Sequence, residues 1–281
     1  MQELKQAEPA MRTRRIIHRT KGRRHGPITR LVSPGDVGEW LKPFVFLDLF
    51  EVGPGGGPGF GYHPHSGIAT LTISLKGVGD YEDSTGEAGV MVAGAVEWMR
   101  AGGGVWHRGG PVGDSEALGF QLWVALPEAL ENSPAESLYL DPEALTAAGP
   151  ARVILGEHKG VSSPIPPVAD MTYLHVTLQD GERWTYAPPS SHEVGFVALN
   201  AGRLEVSGAV LERELAIFED GAEPLTFQAH GAVSFVLGSA ARHPHPLVLG
   251  YYSVHTSPEA LAVGEAGIER IGARLKAQGV I

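Results

Sequence analysis

Residues 68–77 read Ile-Ala-Thr-Leu-Thr-Ile-Ser-Leu-Lys-Gly. β-Branched or apolar residues alternate there with small polar ones, the pattern of a half-buried β-strand, and Gly77 ends it at a turn. On either side, apolar residues come in short runs bounded by glycine: Phe44 to Phe50, Gly89 to Met99 and Gly119 to Leu126. These are strand lengths with strand boundaries. Between Pro127 and Pro150 the composition turns to Pro, Ala, Glu and Asn without alternation, as in a linker or short helices. A domain boundary is expected there, dividing the chain into 1–135 and 136–281. Strand-like runs resume at Met171 to Leu178, Trp184 to Tyr186, Val194 to Leu199, Leu204 to Val206, Leu215 to Phe218, Leu225 to Phe227, Ala232 to Leu237 and Leu247 to Val254. Their spacing repeats that of the first set, so two barrels of one kind are expected. Thr256-Ser257-Pro258-Glu259 is a helix start, and Ile268, Ile271 and Leu275 form an apolar stripe that predicts a terminal helix packed on a barrel.

Composition agrees with an all-β chain. Among 281 residues, 38 glycines and 21 prolines suit many short strands and tight turns better than long helices. The absence of cysteine excludes disulfides, thiolate ligands and cysteine nucleophiles, so any metal must be held by imidazole, carboxylate or water, with twelve histidines as the candidates. A net charge of -10 argues against nucleic acid as a partner. Arg12, Arg14, Arg15, Arg19, Lys21, Arg23, Arg24 and Arg30 nevertheless crowd the beginning of the chain. Such a basic arm either docks on the acidic body or reaches for phosphate, and the acidity of the remainder favours docking. No stretch approaches the roughly 20 apolar residues of a membrane span, and the start, with Glu3, Lys5 and Glu8, lacks a signal-peptide core. A cytoplasmic protein without a membrane partner is expected.

The sharpest chemical feature is Tyr62-His63-Pro64-His65-Ser66-Gly67. Histidines at i and i+2 of an extended segment point to the same side, and Pro64 enforces extension by disfavouring the helical region at His63. The pair can offer two imidazole nitrogens to one metal. A third histidine, His107, closes the segment Glu97-Trp98-Met99-Arg100-Ala101-Gly102-Gly103-Gly104-Val105-Trp106-His107. Phe60, Trp98, Met99 and Trp106 either line a pocket over the metal or belong to the core. A second pair, His243-Pro244-His245, lacks a third partner of suitable context unless folding brings His175 or His230 close, and is read as structural or exposed. The glycine run 102–104 reads as a turn, and Gly55-Gly56-Gly57-Pro58-Gly59 as a loop at a barrel mouth, since no helix or Lys-Ser pair follows it. There is no Gly-x-Ser-x-Gly elbow, and paired catalytic carboxylates cannot be picked out.

Phe44-Val45-Phe46-Leu47-Asp48, His63-Pro64-His65-Ser66-Gly67, Asp83-Ser84-Thr85-Gly86, and Trp98-Met99 with Ala101-Gly102 and His107 occur in this order. In that they resemble the hallmark segments of the N-terminal domain of pirins, a family of the cupin superfamily. The resemblance implies an all-β bicupin of two antiparallel jelly-roll barrels, with a metal only in the first. It implies one divalent ion, iron(II) foremost and zinc or another transition metal as alternatives. The family's ligands carry over as His63, His65, His107 and a glutamate two residues later, but that position is Gly109. Ala69 also departs, standing where pirins commonly carry a glutamate, and so does Tyr81, where a histidine often precedes the Asp-Ser pair. Three neutral imidazoles leave an ion fully divalent, so affinity should fall and the reduction potential rise, although three histidines plus water is a known zinc set.

Two functions are implied by the resemblance. One is a metal-dependent dioxygenase of quercetin 2,3-dioxygenase type, acting on a small aromatic, flavonol-like substrate; its proton-accepting glutamate would be missing at Gly109 unless Asp83 or Glu97 replaces it. The other is a non-catalytic regulatory or ligand-binding protein with a protein partner.

Overall fold

The computed structural model describes residues 13–57 and 59–281. Arg12, the start with Glu3, Lys5 and Glu8, and Pro58 of the glycine loop lie outside them. The chain forms two antiparallel barrels and a terminal helix. In the first barrel a seven-stranded sheet runs Glu136–Leu140, Val96–Arg100, Ile68–Gly77, Ala117–Ala125, Phe44–Val52, Ile28–Val32, Arg23–His25. Opposite it lies a four-stranded sheet, Phe60–His65, Val105–Pro111, Gly79–Asp83, Ala88–Met91. The second barrel is built on the long strands Val194–Val206 and Leu225–Ala240, flanked by Leu215–Phe218 and Met171–Leu178. Register shifts between Leu199 and Arg203 bend the first of these, so two expected runs, 194–199 and 204–206, are one strand. Trp184, Tyr186, Phe227 and Phe235 fill this barrel's interior.

The alternation in residues 68–77 turns out to separate a face packed on the second barrel from a face that lines a cavity. Ala69, Leu71 and Ile73 join Phe44, Leu47, Leu122 and Val124 in an apolar layer that continues into Tyr173, Phe196, Val236 and Ile217 of the second barrel. There the Phe44 ring meets Phe196 edge-on, with centroids 5.3 Å apart. The other face, with Thr72, Ser74 and Lys76, lines a cavity inside the first barrel. The apolar face therefore packs barrel to barrel, and the small polar residues face a chamber that admits water.

Three expectations are corrected. Gly89 to Met99 is two strands, because Val92 to Ala95 make a turn. Glu136–Leu140, expected as linker, is an edge strand on Val96–Arg100; with one neighbour to pair with, it needed no sustained alternation. The terminal helix, Pro258–Ala277, is capped as expected by Ser257, whose hydroxyl oxygen accepts from the Ala260 N–H at 3.1 Å. Its buried face, however, consists of Gly264, Gly267 and Gly272 beside Ile268 and Leu275. Glycine lets the helix backbone approach closely: a Cβ on Gly267 would lie 1.9 Å from the carbonyl oxygen of Gly103.

The strand Ile16–Thr20 and the terminal helix both cross over. Ile16–Thr20 pairs with Leu215–Phe218 of the second barrel, while the terminal helix lies on Val105–Pro111 of the first. The basic arm docks: Arg15 pairs with Glu219 at 2.8 Å and Arg19 with Glu214 at 2.6 Å, while Arg30 pairs with Asp48. Arg14 is buried, with its guanidinium donating to the carbonyls of Glu219 and Glu193. No helix among the described residues is long and apolar enough to cross a membrane.

Candidate metal centre

Phe60–His65 and Val105–Pro111 pair antiparallel with His63 directly opposite His107, and His65 opposite Val105. The period of two then puts all three imidazoles on the same side of the ladder. Nε2 of His107 lies 2.9 Å from Nε2 of His63 and 3.2 Å from Nε2 of His65, and a ligand atom from each of the three rings lies within 4.8 Å of the others. Nitrogens held about 2.0–2.1 Å from one ion sit roughly 2.9–3.4 Å apart, so the spacing suits a shared cation.

The outer nitrogens explain which way the lone pairs face. His63 Nδ1 lies 2.8 Å from the carbonyl oxygen of Gly61, and His65 Nδ1 lies 3.0 Å from that of Tyr252. His107 Nδ1 is 3.4 Å from Oε1 of Glu97. An oxygen beside each Nδ1 suits the tautomer with the proton there, which turns the three Nε2 lone pairs toward one another. Protons do not fill the gap readily: burial, then the His107 ring, drives His63 down to about 4, and the same causes hold His65 well below the usual imidazole range. The donor set suits a divalent metal ion, which needs neutral imidazoles.

No carboxylate completes the set. Gly109 lines the cavity beside His107, and its backbone is not in the left-handed region that demands glycine. Glu97 is buried on the far side of the His107 ring, where its Oε2 accepts from Thr72 Oγ1 at 2.8 Å. Burial pushes that carboxyl up, but His107 and Thr72 outweigh it, so its pKa lies below the ordinary glutamate value. Asp83 accepts from the Thr85 N–H at 2.7 Å and from the Tyr139 hydroxyl at 3.1 Å, so neither carboxylate stands in for the missing ligand. Ala69 faces the second barrel, and Tyr81 stacks on Tyr139 with centroids 3.5 Å apart.

The cavity over the rings measures ≈ 150 Å³, with Phe50, Phe60, Tyr81 and Met91 as apolar walls and Arg108 and Gln121 as polar ones. Of the four residues expected either as lining or as core, only Phe60 lines it. Trp98 and Met99 are core, and Trp106 donates from Nε1 to the carbonyl of Ile268 at 2.9 Å, holding the terminal helix. His243 and His245 gain no third partner: His175 bonds Ser234 and His230 bonds Glu205. Among the described residues, His63, His65 and His107 form the one cluster that could hold a metal ion.

Sequence reasoning missed the back of the site. The hairpin Val248–Gly250 and Ser253–His255 returns from the second barrel, placing Tyr252 behind His65 with φ 54°. Next to it, Ser66 Oγ meets Ser253 Oγ and His255 Nε2, both at 2.9 Å, and His255 Nδ1 lies 3.2 Å from Glu131 Oε2. Tyr252 is 187 positions from His65, Ser253 and His255 are 187 and 189 from Ser66, and nothing local marks them.

A family profile described as Pirin matches residues 28–124. A Pirin-like protein of Caulobacter vibrioides is 34% identical over 219 residues, covering 70% of this chain and 73% of that protein. A Pseudomonas aeruginosa protein provisionally named quercetin 2,3-dioxygenase is 29% identical over 244 residues, covering 80% and 84% respectively. The crystal structure of a quercetin 2,3-dioxygenase from Acinetobacter baumannii superposes with a TM-score of 0.84 over 96% of this chain and 100% of that one, at 23% identity, a likeness of fold.

Proposed function

The chain belongs to the pirin family, and from that premise we propose that it holds one divalent ion, iron(II) foremost, on His63, His65 and His107 and acts as a dioxygenase on a small flavonol-like aromatic. The observation that carries the proposal is the convergence of three Nε2 atoms, two of whose rings line a cavity with aromatic walls. When bound, the ion supplies a Lewis-acidic, redox-active centre at which an oxygenated ring and dioxygen can react. The chain's own residues do the rest. Gly61, Tyr252 and Glu97 keep the rings aimed, and Phe50, Phe60 and Met91 give an aromatic substrate an apolar seat. The names of the Pseudomonas and Acinetobacter relatives support the substrate class.

At Gly109 the chain has no carboxylate to take the substrate's proton. On this reading the substrate enters already ionised, and the rate is expected to rise with pH through the substrate's own ionisation. The same observation favours one second function, a non-catalytic regulator that keeps the barrel and its ion. Elemental analysis of protein purified without chelators, beside the His63→Ala, His107→Ala variant, tests the ligands; one ion per chain, lost in the variant, is expected. Oxygen uptake by the iron(II)-loaded protein across a flavonol panel then separates the functions. Stoichiometric metal without any uptake leaves the regulator.

A further inference from the structure

Glu97 is a buried carboxylate, 5% exposed, in the wall of the first barrel. Strand register puts it there: Thr72 is directly opposite Glu97, and Glu97 directly opposite Tyr139, so the three form one row across adjacent strands. Side chains in such a row share a face. Thr72 Oγ1 donates to Oε2 at 2.8 Å, and the Tyr139 hydroxyl lies 3.4 Å from Oε1. The remaining direction of Oε1 is toward Nδ1 of His107, at 3.4 Å.

Glu97 lies against the His107 ring and not against a longer cationic side chain. Among the described residues no lysine or arginine forms an ion pair with Glu97; its one pairing is with the His107 ring. A carboxylate buried in that way is costly unless a positive charge lies within reach. Beyond His107, on its Nε2 side, is the point where the three lone pairs meet. A cation there would answer the carboxylate through the ring, because a carboxylate at Nδ1 makes the opposite nitrogen a stronger donor.

We infer that Glu97 is the positioning residue of the third ligand, and that it supplies from behind His107 the negative charge that Gly109 lacks. The charge of a directly bound glutamate has, in effect, moved one residue outward. This rests on the three-histidine site proposed above. It places the ion in a neutralised but open site, since among the described residues no carboxylate joins the three imidazoles. It also makes Thr72, which lines the cavity, the holder of Glu97 through its hydroxyl.

The test uses the full chain with Zn(II), Co(II) and iron. Glu97→Gln keeps an acceptor for the imidazole N–H and removes the charge, Glu97→Ala removes both, and Glu97→Asp restores the charge. The Zn(II) affinity of Glu97→Gln, from competition with a chromophoric chelator, is expected to fall about 10–100-fold, with a higher iron reduction potential and an altered Co(II) visible spectrum. Glu97→Asp should recover part of that loss. If Glu97→Gln does not fold, Thr72→Val, which frees one carboxylate oxygen, should show a smaller loss of affinity in the same direction. Zn(II) binding that requires His63 but is unchanged in affinity and potential by Glu97→Gln would overturn this inference alone. A parent protein that takes up no Zn(II), or takes it up undiminished after His63→Ala, would overturn the three-histidine site and the inference with it.

Discussion

Position 109 is where one residue decides the character of the site. A Cβ there would meet the Asp80 carbonyl oxygen at 3.0 Å and the Tyr81 Cα at 4.0 Å, a contact relieved by a shift of a few tenths of an ångström. Gly109 stands opposite Tyr81 and His107 opposite Asp83, so a side chain at 109 emerges on the face that carries the His107 ring. Gly109→Glu is therefore expected to bind Zn(II) roughly tenfold more tightly, the effect of about 1.4 kcal/mol, and to lower the iron reduction potential. Chelator competition measures the first and redox titration the second. An unchanged affinity would mean that a carboxylate at 109 does not reach the ion. The Gly109 departure could be read from the sequence once the family resemblance was recognised. Glu97 behind His107 could not, because the contact depends on the side-by-side register of Thr72, Glu97 and Tyr139 across three strands.

At the scale of the element, the terminal helix separates what periodicity reveals from what it hides. Ser257-Pro258 and the apolar positions Ile268 and Leu275 marked its start and one buried edge. The face that settles its position is made of Gly264, Gly267 and Gly272, residues that carry no hydrophobic signal at all. In an isolated helix, Gly→Ala stabilises by about 1 kcal/mol. At Gly267 the added carbon would lie 1.9 Å from the Gly103 carbonyl oxygen, far inside van der Waals contact. The clash should win: Gly267→Ala is expected to lower stability by about 1–3 kcal/mol, read as a reduced urea midpoint. A midpoint equal to or above the parent's would show that the helix is not seated against the Gly103 turn.

For the whole molecule, buried histidines tie stability to pH. Burial is the leading cause that drives His63, His175 and His243 each down to about 4. In the unfolded chain these rings titrate near the ordinary value of 6.5. Below it the unfolded state binds protons that the native state refuses, so stability is full above that value and is lost as pH falls toward about 4. The melting temperature of the metal-free protein should accordingly drop between pH 6.5 and 4, and a flat profile would contradict the burial of these rings. Metal should raise the melting temperature less as the pH falls, because protons compete for the ligating nitrogens. The sequence by itself determined an all-β chain, a histidine pair at 63 and 65 on one side of a strand, and a capped terminal helix, because strand and helix periods and proline chemistry act between near neighbours. Only the tertiary structure decided that the apolar face of residues 68–77 meets the second barrel, that Ile16–Thr20 and the terminal helix exchange barrels, and that Tyr252 and Glu97 stand behind His65 and His107. Alternation announces that two faces differ without saying what each will cover, and contacts between residues 187 positions apart leave no trace in local composition.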